Sequence, residues 1–312
     1  MTNSSLPKIA LGAWAWGNDG TFGDTLTEND LRPVFDVAME CGLTLWDTAY
    51  VYGMGTSEKV LGKFLRTVPR ENYQISAKFT PQCANPKADN AVIEMYRTSA
   101  GLLGTEDMDF YWIHNPVGAP RWIKELIPLA KSGKIRKIGV SNHNLAEIKQ
   151  AQEILNAEGL KLSAIQNHYS LINRSSESSG ILNYCKANDI IFFSYMVLEQ
   201  GALTGVFNTS HPFPQNSERG QVYNPLLPKL EVLNAQIKEI ADKYGVGVPQ
   251  IPIAWAIAKG TLPIVGATKT KHVYDAKKAA DIQLSSDDIQ RIESYAEKAG
   301  LNTIRYWEKE MK

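Results

Sequence analysis

Short apolar runs alternate with longer amphipathic segments along almost the whole chain. Short runs of this kind predict buried strands, and apolar residues spaced three and four apart predict helices. The predicted strands are 9–14, 43–46, 73–78, 108–114, 135–141, 164–166, 190–195 and 262–266. The predicted helices are 27–42, 58–65, 87–103, 122–131, 144–156, 180–187, 229–244, 249–259, 271–280 and 285–298. Residues 200–228 are rich in Gly, Pro, Asn and Ser and predict a long loop.

Eight strands that alternate with helices predict parallel pairing, because a parallel crossover needs a helix-length connection. That number favours an α/β fold in which the strands close into a (β/α)8 TIM barrel. An open doubly wound sheet is the alternative, but it should carry a Gly-rich G-x-G-x-x-G turn, and the sequence has none. It also has no G-x-x-x-x-G-K-[ST] loop. We therefore expect a single barrel domain over residues 1–312, with additional C-terminal helices and long loops at the C-terminal face.

The amino-acid composition limits the kinds of molecule that this protein is expected to bind. The chain has 33 Lys+Arg and 33 Asp+Glu, and this balance argues against nucleic acid or a membrane surface as the partner. The first residues lack the apolar core of a signal peptide, which predicts a cytoplasmic protein. Cys41, Cys83 and Cys185 are isolated from one another, so we expect structural thiols rather than disulfides or a metal site.

Polar side chains stand where successive predicted strands end, whereas the strand bodies are apolar. In a parallel barrel those ends meet at one face, where the active sites of such barrels lie. The residues at these ends are Asp47 with Tyr52 just beyond it, Lys78, His114–Asn115, Ser141–Asn142, Gln166–Asn167, Ser194–Tyr195 and Gly266–Thr268. The pattern therefore predicts a site at this face.

Asp47, Tyr52, Lys78 and His114 suit acid–base chemistry. A lysine ammonium beside a tyrosine favours the phenolate and lowers its pKa, and a carboxylate can hold that ammonium in place. A histidine nearby can hydrogen-bond a reacting oxygen, so the set can protonate an oxygen on which negative charge develops. This chemistry fits carbonyl reduction with a hydride from a cofactor. The sequence shows no G-x-S-x-G nucleophile and no His-x-x-x-His pair, so we expect no metal.

Four stretches of the sequence resemble the aldo-keto reductases, which are NADPH-dependent (β/α)8-barrel oxidoreductases. The resemblance covers essentially the whole chain. The stretches are Leu45-Trp46-Asp47-Thr48-Ala49 with Tyr52-Gly53 and Ser57-Glu58, Ile75-Ser76-Ala77-Lys78, Asp109-Phe110-Tyr111-Trp112-Ile113-His114, and 134–143. The resemblance implies a catalytic tetrad of Asp47, Tyr52, Lys78 and His114. In it Tyr52 is the proton donor, Lys78 and Asp47 tune it, and His114 orients the carbonyl.

The resemblance also implies NADPH or NADP+ as the cofactor. Ser141, Asn142 and Gln166 match the residues that hydrogen-bond the nicotinamide carboxamide, and Tyr195 matches the ring that stacks on the nicotinamide. A pyrophosphate-covering segment falls on 198–205, with Leu198, Gly201, Leu203 and Gly205. The segment at the adenosine 2′-phosphate falls on Gly266, Thr268, Lys269, Lys271 and His272, and Asp275 follows it.

The sequence departs from many relatives at three of these places. Met196-Val197-Leu198 replaces Ser-Pro-Leu, Val206 replaces a lysine, and His272 leads to Asp275-Ala276 where Glu-Asn is usual. These changes remove one positively charged side chain that would face a cofactor phosphate and one side-chain amide near the adenine. Lys269, Lys271 and His272 still leave positive charge at a predicted helix N-terminus, so NADPH is favoured and use of NADH stays open.

The substrate is expected to be a small carbonyl compound. The candidates to line the mouth are Trp14, Trp16, Tyr52, Phe79, Trp112 and Asn115, and such a mouth favours apolar or aromatic carbonyl compounds. The loop 206–228, with Phe207, Phe213 and Tyr223, is expected to cover part of the opening. Two alternatives remain. One is a cofactor-sensing regulatory subunit resembling the potassium-channel β-subunits, and the other is a barrel lyase or isomerase without a redox cofactor. The sequence leaves the oligomeric state open.

Overall fold

Eight parallel strands close into a barrel in chain order in the computed structural model, which describes residues 6–23, 25–305 and 308–312. The strands are β1 Ala10–Gly12, β2 Leu45–Asp47, β3 Gln74–Phe79, β4 Met108–Ile113, β5 Ile135–Ser141, β6 Leu162–His168, β7 Ile191–Tyr195 and β8 Leu262–Gly266. Each strand pairs with the next, and β8 pairs with β1. The predicted (β/α)8 barrel is confirmed, and the open sheet is excluded.

The described residues form twelve α-helices around the barrel. They are α1 Glu28–Glu40, α2 Thr56–Leu65, α3 Ala91–Leu103, α4 Ala119–Lys131, α5 Leu145–Asn156, α6 Ser175–Ser178, α7 Ile181–Ala187, α8 Glu218–Tyr223, α9 Leu227–Lys243, α10 Gln250–Ala258, α11 Thr270–Ala279 and α12 Ser286–Ala299. Thr27, the first residue of the predicted helix 27–42, caps α1: its hydroxyl accepts from the Asp30 amide, and the Asp30 carboxylate accepts from the Thr27 amide. This reciprocal pair satisfies two amides that the first turn leaves free.

The helix α2 begins at Thr56, two residues before the predicted start at 58, although Thr56 and Ser57 are residue types that often cap helices. The cap is Gly55, which has a φ of 91°, and both hydroxyl residues lie inside the helix. Ser57 is fully buried and donates instead to the carbonyl of Ala13 at 2.7 Å. The glycine cap is required because a Cβ on Gly55 would press on Leu102 in a left-handed backbone conformation.

Residues 200–228 are not one continuous loop, as the sequence predicted. They include most of a 3-10 segment, Glu199–Thr204, and the helix α8. Ser217 caps α8 with its hydroxyl on the Gly220 amide. The apolar residues of the segment 200–228 are spaced too irregularly for a periodic pattern to reveal these short elements.

The barrel interior is a packed aromatic core. The rings of Phe110, Trp112 and Phe193 contact one another with centroids 5.0 to 5.9 Å apart. Gly139 on β5 pairs with Trp112 on β4. A Cβ at this glycine would overlap the indole ring, so the absence of a side chain at position 139 makes room for Trp112.

We expect Gly139→Ala to destabilise the protein by about 1–3 kcal/mol, the usual cost of overpacking a core. The matched control is Gly101→Ala in α3, where an added Cβ meets nothing within 4 Å. Alanine in a helix is favoured over glycine, so the control should be neutral or stabilising. Denaturant unfolding of both variants measures the difference. Equal stabilities would show that Trp112 does not fill the space beside Gly139.

Three further features bear on function. No helix of the described residues is long and apolar enough to cross a membrane. In the same part of the chain, no group of three or more His, Cys, Asp or Glu residues is arranged to hold a metal ion. Cys41, Cys83 and Cys185 are free thiols.

Candidate active site

The ammonium of Lys78 is the centre of a buried cluster at the C-terminal ends of β2 and β3. It donates to Asp47 Oδ2 at 2.5 Å, to the carbonyl oxygen of Thr48 at 2.9 Å and to the hydroxyl oxygen of Tyr52 at 3.3 Å. Asp47 pairs in register with Ser76, and Lys78 lies two residues further along the same face of β3. The parallel pairing of two neighbouring strands therefore brings the acid and the amine together.

The Asp47 carboxylate is oriented by three strands. Its Oδ1 accepts from Ser76 at 2.6 Å and from the Gln166 amide at 3.1 Å. The indole of Trp112 donates to the Ser76 hydroxyl at 2.7 Å, so the aromatic core fixes this hydroxyl in turn. A buried carboxylate with this many donors can hold the Lys78 ammonium at one position.

The charges in the cluster settle its protonation at neutral pH. Burial opposes the charge of Lys78, but Asp47 and Tyr52 outweigh that effect and raise the pKa of its ammonium above the usual value. Burial also raises the pKa of Tyr52, and Lys78 lowers it. The predicted lowering by the lysine is present, but burial wins, so the net pKa of Tyr52 lies above its ordinary value. Tyr52 is therefore a protonated phenol beside a lysine cation.

His114 follows β4 and reaches the same place. Its ring lies edge-on to Tyr52 with centroids 5.9 Å apart, and its Nδ1 is 2.9 Å from the Thr80 hydroxyl. Burial, and then the charge of Lys78, hold the pKa of His114 well below its ordinary value. The neutral ring has one protonated nitrogen, and in the tautomer in which Nδ1 accepts from Thr80 the proton is on Nε2. The four residues predicted for chemistry thus lie together.

Four candidate cofactor residues surround this cluster at the ends of β5, β6 and β7. Ser141 ends β5, and Asn142 directly after it has a φ of 63°, an uncommon conformation outside glycine. The Asn142 amide donates to the carbonyl oxygen of His114 at 3.0 Å, and its oxygen accepts from the Tyr195 hydroxyl at 2.5 Å. Gln166 joins them through Asp47. The predicted nicotinamide residues therefore adjoin the acid–base cluster.

The backbone after β7 is strained over a short stretch. Met196, Glu199 and Gln200 all have φ between 47° and 62°, and Gly201 has a φ of 105°. Non-glycine residues rarely adopt such angles, and runs of them are concentrated at functional sites. Leu198 and Gly205 flank the 3-10 segment. Leu203 is fully buried, so its side chain is not exposed to a ligand.

The segment after β8 places basic residues at the N-terminus of α11. Gly266 is exposed, Lys269 is the N-cap, and no side chain caps this end. The Thr268 amide donates to His272 Nδ1 at 3.3 Å. Burial and then Lys269 lower the pKa of His272.

Asp275, predicted as a cofactor contact, pairs with two side chains of this chain, and its cofactor role stays a prediction. Its carboxylate accepts from Lys271 at 2.5 Å and from Gln250 at 3.0 Å, and Lys271 is otherwise exposed. The departure from the Glu-Asn of many relatives therefore partly neutralises one of the two lysines. Lys269, the N-cap residue, adds its positive charge to the field at this helix end.

Trp14 and Asn115 lie where a mouth residue should. The Trp14 ring stacks on Tyr52 with centroids 5.5 Å apart, and Phe22 packs against its edge at 5.4 Å. Asn115 is partly exposed just after His114 and donates to Gln82 at 2.7 Å. Trp14 thus lies beside Tyr52 and Asn115 follows His114, and their role as a substrate mouth stays a prediction.

The prediction is wrong for Trp16, Phe79 and Trp112, which are fully buried. Trp16 donates to the carbonyl of Ala267 at 2.8 Å, and Phe79 packs on Trp122 at 5.0 Å. Phe79 follows Lys78, so strand alternation turns it to the helix side of the sheet. Trp112 belongs to the barrel core. Sequence position near a strand end does not decide whether a ring reaches the mouth.

The segment 206–228 lies against this mouth. Phe213 and Tyr223 are buried, and Phe207 stacks on Phe213 with centroids 3.8 Å apart. The Arg219 guanidinium lies 5.3 to 5.7 Å from three ring centroids, those of Phe207, Phe213 and the Phe22 ring that contacts Trp14. This agrees with the expected cover over part of the opening.

The sequence pattern missed a second buried ionic cluster, formed by His168, Glu199 and Glu308. His168 ends β6 two residues beyond Gln166, so strand alternation was a usable signal for it. Glu308 lies after the last helix, in a stretch without periodicity, and nothing in the sequence pointed to it.

Comparison with known proteins places this geometry in context. The model of the Aldo/keto reductase family matches residues 8–297. A chloroplastic pyridoxal reductase of Arabidopsis thaliana is 30% identical over 96% of this chain and 86% of its own length. In fold, a glycerol dehydrogenase from Gluconobacter oxydans is similar, with a TM-score of 0.82 at 24% identity over 97% of this chain and 95% of its own. An aldo-keto reductase from Klebsiella pneumoniae in complex with NADPH is also similar in fold, with a TM-score of 0.75 at 23% identity over 99% of this chain and 95% of its own.

Proposed function

The chain belongs to the aldo/keto reductase family, and we propose that it reduces an aldehyde or ketone to the alcohol with NADPH, with Tyr52 as the proton donor. The observation that carries the proposal is the 3.3 Å contact between the Tyr52 hydroxyl and the buried Lys78 ammonium, which Asp47 holds. A protonated phenol beside a fixed cation can give up its proton because the cation stabilises the phenolate left behind.

Each residue has one task in this proposal. His114, neutral and oriented by Thr80, donates a hydrogen bond that positions the carbonyl oxygen. Tyr52 transfers its proton to that oxygen as negative charge develops on it. Lys78 stabilises the phenolate, and Asp47 keeps the ammonium charged and in place. The packed core beneath them excludes water from this side of the site.

The residues around the cluster fit a nicotinamide cofactor. Ser141, Asn142 and Gln166 present a hydroxyl and two amides, the groups that recognise a carboxamide, and Tyr195 offers a ring for stacking. The open turn at 199–201 and the uncapped N-terminus of α11 suit phosphate groups. When bound, NADPH supplies the hydride that no side chain can give.

The test is a panel of aldehydes and ketones assayed by the loss of NADPH absorbance. Pyridoxal belongs in the panel because a relative with 30% identity is named a pyridoxal reductase. Aromatic aldehydes belong there because Trp14 stacks beside Tyr52. Turnover of any member supports the proposal. Tight NADPH binding without turnover favours the regulatory-subunit alternative, and absence of NADPH binding favours a lyase or isomerase. The cytoplasmic location stays a prediction.

We expect Lys269→Ala combined with Lys271→Ala to weaken NADPH binding more than NADH binding. Only NADPH carries the 2′-phosphate, and a lysine that meets a phosphate contributes a charge-assisted contact. Because Asp275 already pairs with Lys271, Lys269→Ala alone should account for most of the loss. Titration of both cofactors by protein fluorescence measures the effect, with Lys277→Ala in the last turn of α11 as the control. Equal losses for NADPH and NADH would place the 2′-phosphate elsewhere.

A further inference from the structure

His168 lies between two carboxylates in the second buried cluster. Its Nε2 is 2.7 Å from Glu199 Oε1, and its Nδ1 is 3.1 Å from Glu308 Oε1. All three side chains are at most 3% exposed. Burial opposes a charge on the ring, but Glu199 and then Glu308 outweigh it and raise the pKa of His168 to about 10. The ring is therefore an imidazolium at neutral pH.

The cluster joins three parts of the chain. His168 ends β6, and Glu199 lies in the strained turn after β7. Arg305 and Glu308 belong to the C-terminal tail, which we define as residues 301–305 and 308–312. The imidazolium of His168 thus lies between two buried carboxylates, whereas the Arg305 guanidinium pairs with Glu218 of α8 at 3.8 Å. Removal of the His168 charge would leave both carboxylates buried without their cation.

The remaining contacts attach the C-terminal tail to the turn that bears Glu199. Arg305 donates to the side chain of Gln200 and lies 4.9 Å from the ring of Tyr223. Tyr223 in turn donates to Glu199 Oε2 at 2.8 Å. Further along the tail, Lys309 pairs with Glu147 of α5 at 2.5 Å. The tail is therefore held at both of its described parts.

The same cluster touches the ring proposed to stack on the nicotinamide. The imidazole of His168 lies against Tyr195 with centroids 5.6 Å apart and planes 31° apart. Burial, and then the charge of Glu308, raise the pKa of Tyr195 well above its ordinary value, so the carboxylate is close to that phenol as well. His168 and Glu308 thus lie next to Tyr195, and Glu199 is the first residue of the turn at 199–201.

We propose that His168 is a positioning residue of the cofactor site. Through Glu308 it fixes the C-terminal tail, and through Glu199 it fixes the turn at 199–201 that is proposed to cover the pyrophosphate. Tyr195 is held between the tail and this turn. The inference rests on the proposed function for its ligand, NADPH. It assigns to the tail the role of retaining the cofactor, because loss of the tail would free both Tyr195 and the turn at 199–201. The chemistry of hydride and proton transfer stays with the first cluster.

The decisive variant is Glu308→Gln, which keeps the shape of the side chain and removes its charge. Its matched control is Glu310→Gln, two residues further on, where an exposed carboxylate pairs with Lys312. We expect Glu308→Gln to raise the NADPH dissociation rate in stopped-flow experiments by about tenfold or more, because it removes the charge of a buried ion pair and leaves the other partner uncompensated. The control should release NADPH at the wild-type rate. The turnover number should fall far less than the affinity for NADPH.

Hydrogen–deuterium exchange without cofactor tests the cluster separately. We expect faster exchange in the C-terminal tail and in residues 196–205 of Glu308→Gln, and unchanged exchange in Glu310→Gln. The effects of His168→Gln and Glu308→Gln on NADPH dissociation should not add in the double variant, because each substitution removes the same contact between residues 168 and 308. Additive effects, or a Glu308→Gln variant that behaves like Glu310→Gln in both experiments, would overturn the inference. A wild-type protein that does not bind NADPH would overturn the proposed function, and the exchange experiment would still judge the role of His168.

Discussion

We expect Tyr52→Phe to reduce carbonyl turnover by a factor of about 10² to 10⁴, the usual contribution of a general acid. The variant removes one hydroxyl, the group whose oxygen lies 3.3 Å from the Lys78 ammonium. Its ring can still stack on Trp14, so the shape of the mouth should persist. NADPH affinity should stay nearly unchanged because the lost hydroxyl acts on the carbonyl oxygen rather than on the cofactor.

The matched control is Tyr50→Phe, two residues earlier in the same loop. Steady-state turnover and a fluorescence titration with NADPH, measured on both variants, separate catalysis from binding. The control should turn over at nearly the wild-type rate. Wild-type turnover by Tyr52→Phe, or an equal loss in Tyr50→Phe, would show that the proton comes from another group.

Lys78→Met should abolish turnover and also destabilise the fold by about 3–5 kcal/mol, because it leaves the Asp47 carboxylate buried without its cation. The double variant Lys78→Met with Asp47→Asn removes both charges. It should regain much of the lost stability and none of the activity, since neutral groups can share the remaining hydrogen bonds but cannot stabilise a phenolate.

Denaturant unfolding and turnover assays on the single and double variants measure both effects. The reference is Lys131→Met, which breaks an ion pair with Glu158 whose side chains are about half exposed. Such surface pairs contribute about 0–1 kcal/mol, so this variant should unfold close to the wild type. If Lys78→Met were as stable as Lys131→Met, the Asp47–Lys78 pair would not be the buried contact described above.

The fold and the acid–base cluster were predictable from the sequence because their signals are local. The cap at Thr27 and the apolar strand runs depend on neighbouring residues. Asp47 and Lys78 stand where their strands end, and a parallel barrel brings all such ends to one face. Position along the chain was therefore enough to bring them together.

Other features depend on packing between distant segments, which one sequence does not display. Gly55 rather than Thr56 caps α2 because Leu102, far along the chain, limits the space at that turn. Trp112 enters the core because Gly139 on the next strand makes room for it. Glu308 reaches His168 from an aperiodic tail. The direction of the Tyr52 pKa shift also required the structure, because it depends on how deeply the phenol is buried.

The most direct test of the account is to follow the hydride itself. The protein is incubated with a carbonyl substrate from the panel and NADPH that carries deuterium at the transferred position, and the alcohol is analysed by mass spectrometry and NMR. We expect one deuterium on the former carbonyl carbon for each NADPH oxidised, and the hydroxyl proton to come from solvent by way of Tyr52. Alcohol without deuterium at that carbon, or no alcohol from any carbonyl although NADPH binds, would contradict the claim that this site transfers a hydride to a carbonyl group.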